Sequence, residues 1–163
     1  ANFDSWPQVS RTILVMLMFV GACAGSTGGG IKVSRFLILI KTVKKELLQY
    51  LHPKSVKRIK MDGKAIEHEV VRSTNVFMVT YVLIFSFSIL FLAFDNLDLV
   101  TNFTAVAATL NNIGPGLELV GPSANFAIFS GGAKIILIFD MLAGRLELFP
   151  LLLLFVRDTW KKF

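Results

Sequence analysis

Three stretches carry residue types at spacings from which chemistry could be built. The first is Asn111-Asn112-Ile113-Gly114-Pro115-Gly116, which follows the mildly apolar segment Leu99–Leu110. Proline and two glycines exclude a continuing helix, so the chain must turn or extend there. A short helix ending inside a membrane and handing over to such a strand presents backbone carbonyls to a dehydrated cation. The partial negative charge at the helix C-terminus favours the same ligand. An ordinary outer loop rich in turn residues is the plainer alternative.

The second stretch is Gly21–Gly30, with Gly25, Ser26, Thr27, Gly28, Gly29 and Gly30 at its centre. Each glycine costs a helix about 1 kcal/mol against alanine, so the apolar run before it cannot continue unbroken. Gly25 and Gly30 are spaced like the ends of a phosphate loop, but Ile31 stands where lysine belongs and no strand precedes. Ser26 as a nucleophile lacks a base, because His52 and His68 fall in a polar loop. Gly21 and Gly25 also form a GxxxG packing pair.

The third is Arg145, inside the apolar run Lys134–Val156. A lone arginine at that depth costs about 2.5–3.5 kcal/mol on insertion scales, so it needs partners or water. Asp140 and Glu147 are the nearest acids. A buried ion pair, or snorkelling to an interface, competes with a role in a pore. Pro150 interrupts the same span, and Lys134 reads as an outer interface anchor. Lys32 and Arg35 fall just beyond the glycines, while Cys23, His52 and His68 read as structural.

The elements that position these residues belong to a membrane. The 163 residues are 54% hydrophobic and 17% charged, beyond the soluble norm in both directions. Val76–Phe94 holds no ionisable group but Tyr81, long enough to cross most of a hydrocarbon core about 30 Å thick. The basic residues cluster between Lys32 and Arg72 and in the tail at Arg157, Lys161 and Lys162, whereas Phe94–Gly132 carries acids and no lysine or arginine. By the positive-inside bias, loop 41–72 and the C-terminus are cytoplasmic. No aromatic platform interleaves the lysines, which argues against nucleic acid. The single cysteine excludes an internal disulfide. The chain opens without methionine or a cleavable signal pattern and reads as a fragment.

Thr12–Ala24 and Ile31–Pro53 then form one membrane helix broken by glycines, and irregular backbone at that depth needs protein or a wet cavity around it. Leu99–Leu110, about 18 Å long if helical, enters the membrane without crossing it. A full crossing there would put the basic tail outside, against the charge bias. The expected fold is all-α and integral to the membrane, with a re-entrant segment.

The strings GACAGSTGGGIKVSRFLILIK (Gly21–Lys41), NNIGPGLELVGP (Asn111–Pro122) and MLAGRLELFPLLLLF (Met141–Phe155) resemble, in order and spacing, the Trk-type potassium-uptake family, the group of TrkH, TrkG and KtrB membrane subunits. The resemblance implies four helix–pore-loop–helix repeats of the potassium-channel type around one ion path. Residues 1–52 would then be the second helix of the third repeat, broken at 25–30. Residues 53–75 would be a basic cytoplasmic loop, and 76–163 the complete fourth repeat.

It also implies that the backbones of Asn111, Asn112, Ile113 and Gly114 form a filter strand, with potassium at Asn112, Ile113 and Gly114. This strand departs from the threonine-rich version of other repeats, so tight selectivity does not follow. Gly25, Ser26, Thr27, Gly28, Gly29 and Gly30 would gate the path together with Arg145. Further expectations are potassium as the transported ion with no organic cofactor, a homodimer in the bacterial inner membrane, the N-terminal repeats as partners, and a cytoplasmic nucleotide-binding regulatory subunit. The basic loop would dock that regulator or anionic headgroups. The alternatives are a sodium-dependent Ktr-type subunit, an intramembrane serine hydrolase using Ser26, and a non-conducting scaffold.

Overall fold

A computed structural model describes residues 2–23, 25, 26, 28–52, 59–61, 63–146 and 148–153. Six α-helices are assigned among them: α1 (Gln8–Met18), α2 (Val33–Leu51), α3 (His68–Leu92), α4 (Leu99–Leu110), α5 (Gly131–Leu146) and α6 (Leu148–Leu153). Between α2 and α3, the strands β1 (Lys60–Met61) and β2 (Lys64–Ala65) pair antiparallel. Lys41 Nζ donates to the Lys60 carbonyl at 2.7 Å, tying this hairpin to α2.

The segment His68–Asp95 is the one helical stretch among the described residues long and apolar enough to cross a membrane. Its 28 residues would reach about 42 Å at 1.5 Å per residue, more than the hydrocarbon thickness. Only 22% of its most apolar window is buried within the chain, with Val79, Leu83, Phe87 and Leu90 facing outward. So much exposed aliphatic and aromatic surface is stable only against lipid or further protein.

The short helix α4 is the buried centre. Nine of its 12 residues are buried, including the unbroken run Thr104–Leu110. It packs on α5, on α3 and, across its far side, on α1. One core cluster joins Leu92, Ala105, Val106, Val120, Phe129, Ala133 and Leu137; a second joins Ile31, Phe77, Tyr81, Leu110, Ala143 and Leu148. Phe85 bridges α3 to its neighbours, edge-on to Phe19 at 5.6 Å and to Phe103 at 5.2 Å between ring centroids.

One expected span is divided differently. The helix expected over Thr12–Ala24 ends at Met18, and helix resumes only at Val33, so the interruption is longer than the glycine block. Its neck is closed by backbone: Val20 and Ile31 form a parallel bridge, Gly21 N–H donates to the Ile31 carbonyl at 2.8 Å, and Val33 N–H to the Ala22 carbonyl at 3.2 Å. Within the expected span Lys134–Val156 the described residues are helical on both sides of residue 147, over α5 and α6. Thr27, Glu147, Lys54, Lys57, Arg58 and the basic tail lie outside the described residues.

Candidate functional site

The N-terminus of α4 is set by Asp98, whose side chain accepts the Thr101 N–H at 2.9 Å. That backbone hydrogen bond holds the Asp98 carboxyl below the usual carboxylate range. At the other end, Asn112 takes φ +55, its N–H donates to the Thr109 carbonyl at 3.0 Å, and the Ile113 N–H donates to Ala108 at 2.9 Å. This crossed pair is a Schellman motif with asparagine in the left-handed position that glycine usually fills. It ends the helix sharply and turns the chain through Ile113 to Gly114, at φ +115.

Asn111, the first residue of the segment expected to turn or extend, is the helix cap, at φ −95 and ψ 1, and is buried. Its Nδ2 donates to the Ala107 carbonyl at 2.8 Å, and its Oδ1 accepts from the Tyr81 hydroxyl at 2.9 Å. The side chain thus pins the end of α4 to α3.

The glycine segment packs directly beneath this turn. A Cβ on Gly29 would fall 2.7 Å from the Asn111 carbonyl oxygen and 2.8 Å from the Asn112 Cβ, and one on Gly30 3.0 Å from Asn111 Oδ1. From the other side α5 approaches as closely. A Cβ on Gly144 would fall 1.8 Å from the Leu110 carbonyl oxygen, and Asn112 Nδ2 donates to the Met141 carbonyl at 3.1 Å. The Leu110 and Asn111 carbonyls therefore face neighbouring backbone. No hydrogen bond among the described residues engages the carbonyls of Asn112, Ile113 or Gly114. Ile113 and Gly114 are exposed between two apolar grooves, of about 590 and 480 Å³.

Below the turn, Ser26, Gly30, Lys32, Arg35, Tyr81, Leu110, Gly144 and Arg145 surround a cavity of about 60 Å³. The sequence-predicted loop and Arg145 thus meet around one space. Gly25 (φ +83) and Ser26 are exposed; Ser26 Oγ accepts the Gly28 N–H at 3.2 Å, and no histidine lines the cavity among the described residues. Asp140 does not compensate Arg145. Five residues apart, they lie about 140° around α5 from each other, and Asp140 is fully buried with Oδ1 accepting from Ser88 at 2.9 Å. Its Oδ2 has no partner among the described residues.

The chain leaving the turn is anchored from both sides. Gly116 N–H donates to Val120 at 2.8 Å and Leu117 N–H to Thr104 Oγ1 at 3.0 Å. Glu118, at φ +55, donates its N–H to Asp4 Oδ1 at 3.2 Å, and its carboxylate accepts from the Arg11 guanidinium. Sequence reasoning missed Tyr81, Thr104, Ser88, Gly144 and the Asp4–Arg11–Glu118 stitch. Only Gly144, a helical glycine beside Arg145, offered a local signal.

The sequence profile of the TrkH family, described as cation transport protein, matches residues 1–162. The Trk system potassium uptake protein TrkH of Salmonella typhimurium (strain LT2) is 42% identical over 157 residues, covering 96% of this chain and 32% of that relative. The Trk system potassium uptake protein TrkG of Escherichia coli (strain K12) is 38% identical over 160 residues, 98% of this chain and 33% of the relative. The crystal structure of the potassium transporter TrkH from Vibrio parahaemolyticus matches with a TM-score of 0.87 at 42% identity, over 99% of this chain and 34% of that one. The chain spans about a third of the length of these relatives. A match over nearly every residue, in sequence and in fold, makes this chain a member of the TrkH family of cation transport proteins, which are membrane transporters.

Proposed function

We propose that the chain is part of a gated, channel-like subunit that moves potassium across the membrane. Residues 76–163 would form one helix–pore-loop–helix repeat and residues 1–52 the glycine-broken second helix of the repeat before it. Loop 53–75 would face the cytoplasm. In this reading α4 is the pore helix, and the backbone carbonyls of Asn112, Ile113 and Gly114 coordinate the dehydrated ion. Asn111 anchors that strand through Tyr81. The observation that carries the reading is the stacking of the glycine loop directly under the turn, with Ser26, Gly30 and Arg145 around one small cavity. A positive charge below a row of free carbonyls opposes a passing cation by Coulomb repulsion. The loop and Arg145 together are then the gate.

The chain alone leaves Ile113 and Gly114 uncovered, so the remaining repeats of the full-length protein must complete the path. A homodimer in the bacterial inner membrane and a cytoplasmic nucleotide-binding regulator docking on residues 41–72 complete the proposal. A sodium-dependent subunit is the alternative within the class, decided by whether uptake requires sodium. The serine-hydrolase reading has no support from the geometry, since the Ser26 hydroxyl is engaged by its own loop.

Rubidium flux into liposomes holding the full-length protein tests the proposal. The wild type should conduct, and Arg145→Ala should raise flux several-fold. A protein that carries no rubidium sinks the transport reading; flux in Arg145→Ala at or below wild type sinks the gate.

A further inference from the structure

Lys32 sits where a cation is electrostatically misplaced. It is the N-cap of α2, at φ −58 and ψ 140, next to the positive end of that helix. It lines the cavity of about 60 Å³ together with Arg35 and Arg145, and no carboxylate lines that cavity among the described residues. Like charges and the helix end would drive a flexible lysine out to solvent unless something held it. What holds it is backbone. The side chain turns back over the glycine loop, and Nζ donates to the Ser26 carbonyl at 2.6 Å and to the Gly28 carbonyl. The Ser26 hydroxyl accepts the Gly28 N–H, and the carbonyls of these two residues converge on the ammonium.

Backbone oxygens converging on a monovalent charge are also how a pore replaces an ion's hydration shell. We infer that the carbonyls of Ser26 and Gly28 form a monovalent-cation site of potassium or ammonium size, and that the Lys32 ammonium fills it as a tethered cation. With Lys32 in place the loop is latched under Asn111 and Asn112. When it withdraws, the loop is free to move and the vacated oxygens receive the passing ion. This inference rests on the gate reading above and adds a second cation site and its internal occupant.

Rubidium flux through the reconstituted full-length protein, with wild type, Lys32→Met, Lys32→Arg and Arg145→Ala in parallel, separates the two ideas. Lys32→Met should raise flux several-fold, and Lys32→Arg, which keeps a cation on the loop, should stay below it. If Arg145→Ala raises flux and Lys32→Met does not, the latch is overturned and the gate stands. If neither raises flux, the gate falls and the latch with it. Crystals of Lys32→Met soaked in thallium should show an anomalous peak between the Ser26 and Gly28 carbonyls, and a blank there overturns the site. On wild-type protein, which needs no variant to fold, N-hydroxysuccinimide acetate should acetylate Lys32 at least tenfold more slowly than the exposed Lys44. Equal rates overturn the inference.

Discussion

Replacing Gly144 with alanine tests whether the close approach of α5 to the end of α4 sets the geometry of the turn. The new Cβ would stand 1.8 Å from the Leu110 carbonyl oxygen and 2.8 Å from Asn112 Nδ2. An ordinary contact begins at 3.4 Å, so about 1.6 Å must be found by moving backbone, since neither α5 nor a carbonyl inside α4 has a rotamer to change. Overpacking of this kind costs about 1–3 kcal/mol and occasionally more. With backbone on both sides the upper end applies, roughly a hundredfold in the folding equilibrium at 1.4 kcal/mol per decade. Parting the helices also stretches the bond from Asn112 Nδ2 to the Met141 carbonyl, so the carbonyls after Asn111 should lose their alignment. Gly132→Ala is the control on the same helix, because its Cβ would meet nothing closer than Phe91 at 3.6 Å. The assay is thermal loss of the monodisperse peak of full-length protein in detergent, followed by rubidium and sodium flux on what survives. Gly144→Ala should melt well below Gly132→Ala and conduct with weaker preference for rubidium over sodium. Equal melting and equal flux ratios would refute the reasoning.

Tyr81→Phe leaves the buried Asn111 Oδ1 without its hydroxyl donor and should cost about 1–3 kcal/mol, read as a lower thermal midpoint; an unchanged midpoint means the bond contributes nothing. Gly114→Ala meets open space but must hold φ +115, a strain of about 1–3 kcal/mol. It should fold and lose ion preference, and wild-type selectivity would show that the backbone at Gly114 does not set the path. Asp98 has a depressed carboxyl in the fold, so its contribution is present above the ordinary aspartate value and lost as pH falls through the lowered one. Melting followed from neutral to acidic pH should show a component that Asp98→Asn removes, and an identical acid limb in that variant would count against the cap.

Much of the backbone plan was legible along the chain. Apolar length marked α3, the mildly apolar run before the Pro and Gly turn marked α4 as Leu99–Leu110, and the glycine block located the interruption between α1 and α2. Its extent was misjudged because Phe19 to Gly21 leave the helix to form the neck with Ile31, a pairing that local propensity does not encode. At the end of α4, asparagine at 112 accepts the left-handed conformation, and Asn111 closes the helix as its cap.

Sequence alone determined what each segment could be: a stretch too apolar for water, a helix too short to cross, a glycine run that no helix keeps, a turn that only Asn, Gly and Pro tolerate. Those are local properties, set by hydration and by the backbone angles each residue allows. Tertiary packing decided which groups meet. Tyr81 reaches Asn111 across 30 positions and Ser88 reaches Asp140 across 52, while Asp140 faces away from Arg145, its near neighbour in sequence. Such pairings depend on the register of one helix against another, which is fixed by close-packed contacts such as Leu110 on Gly144 and leaves no period in the chain to read.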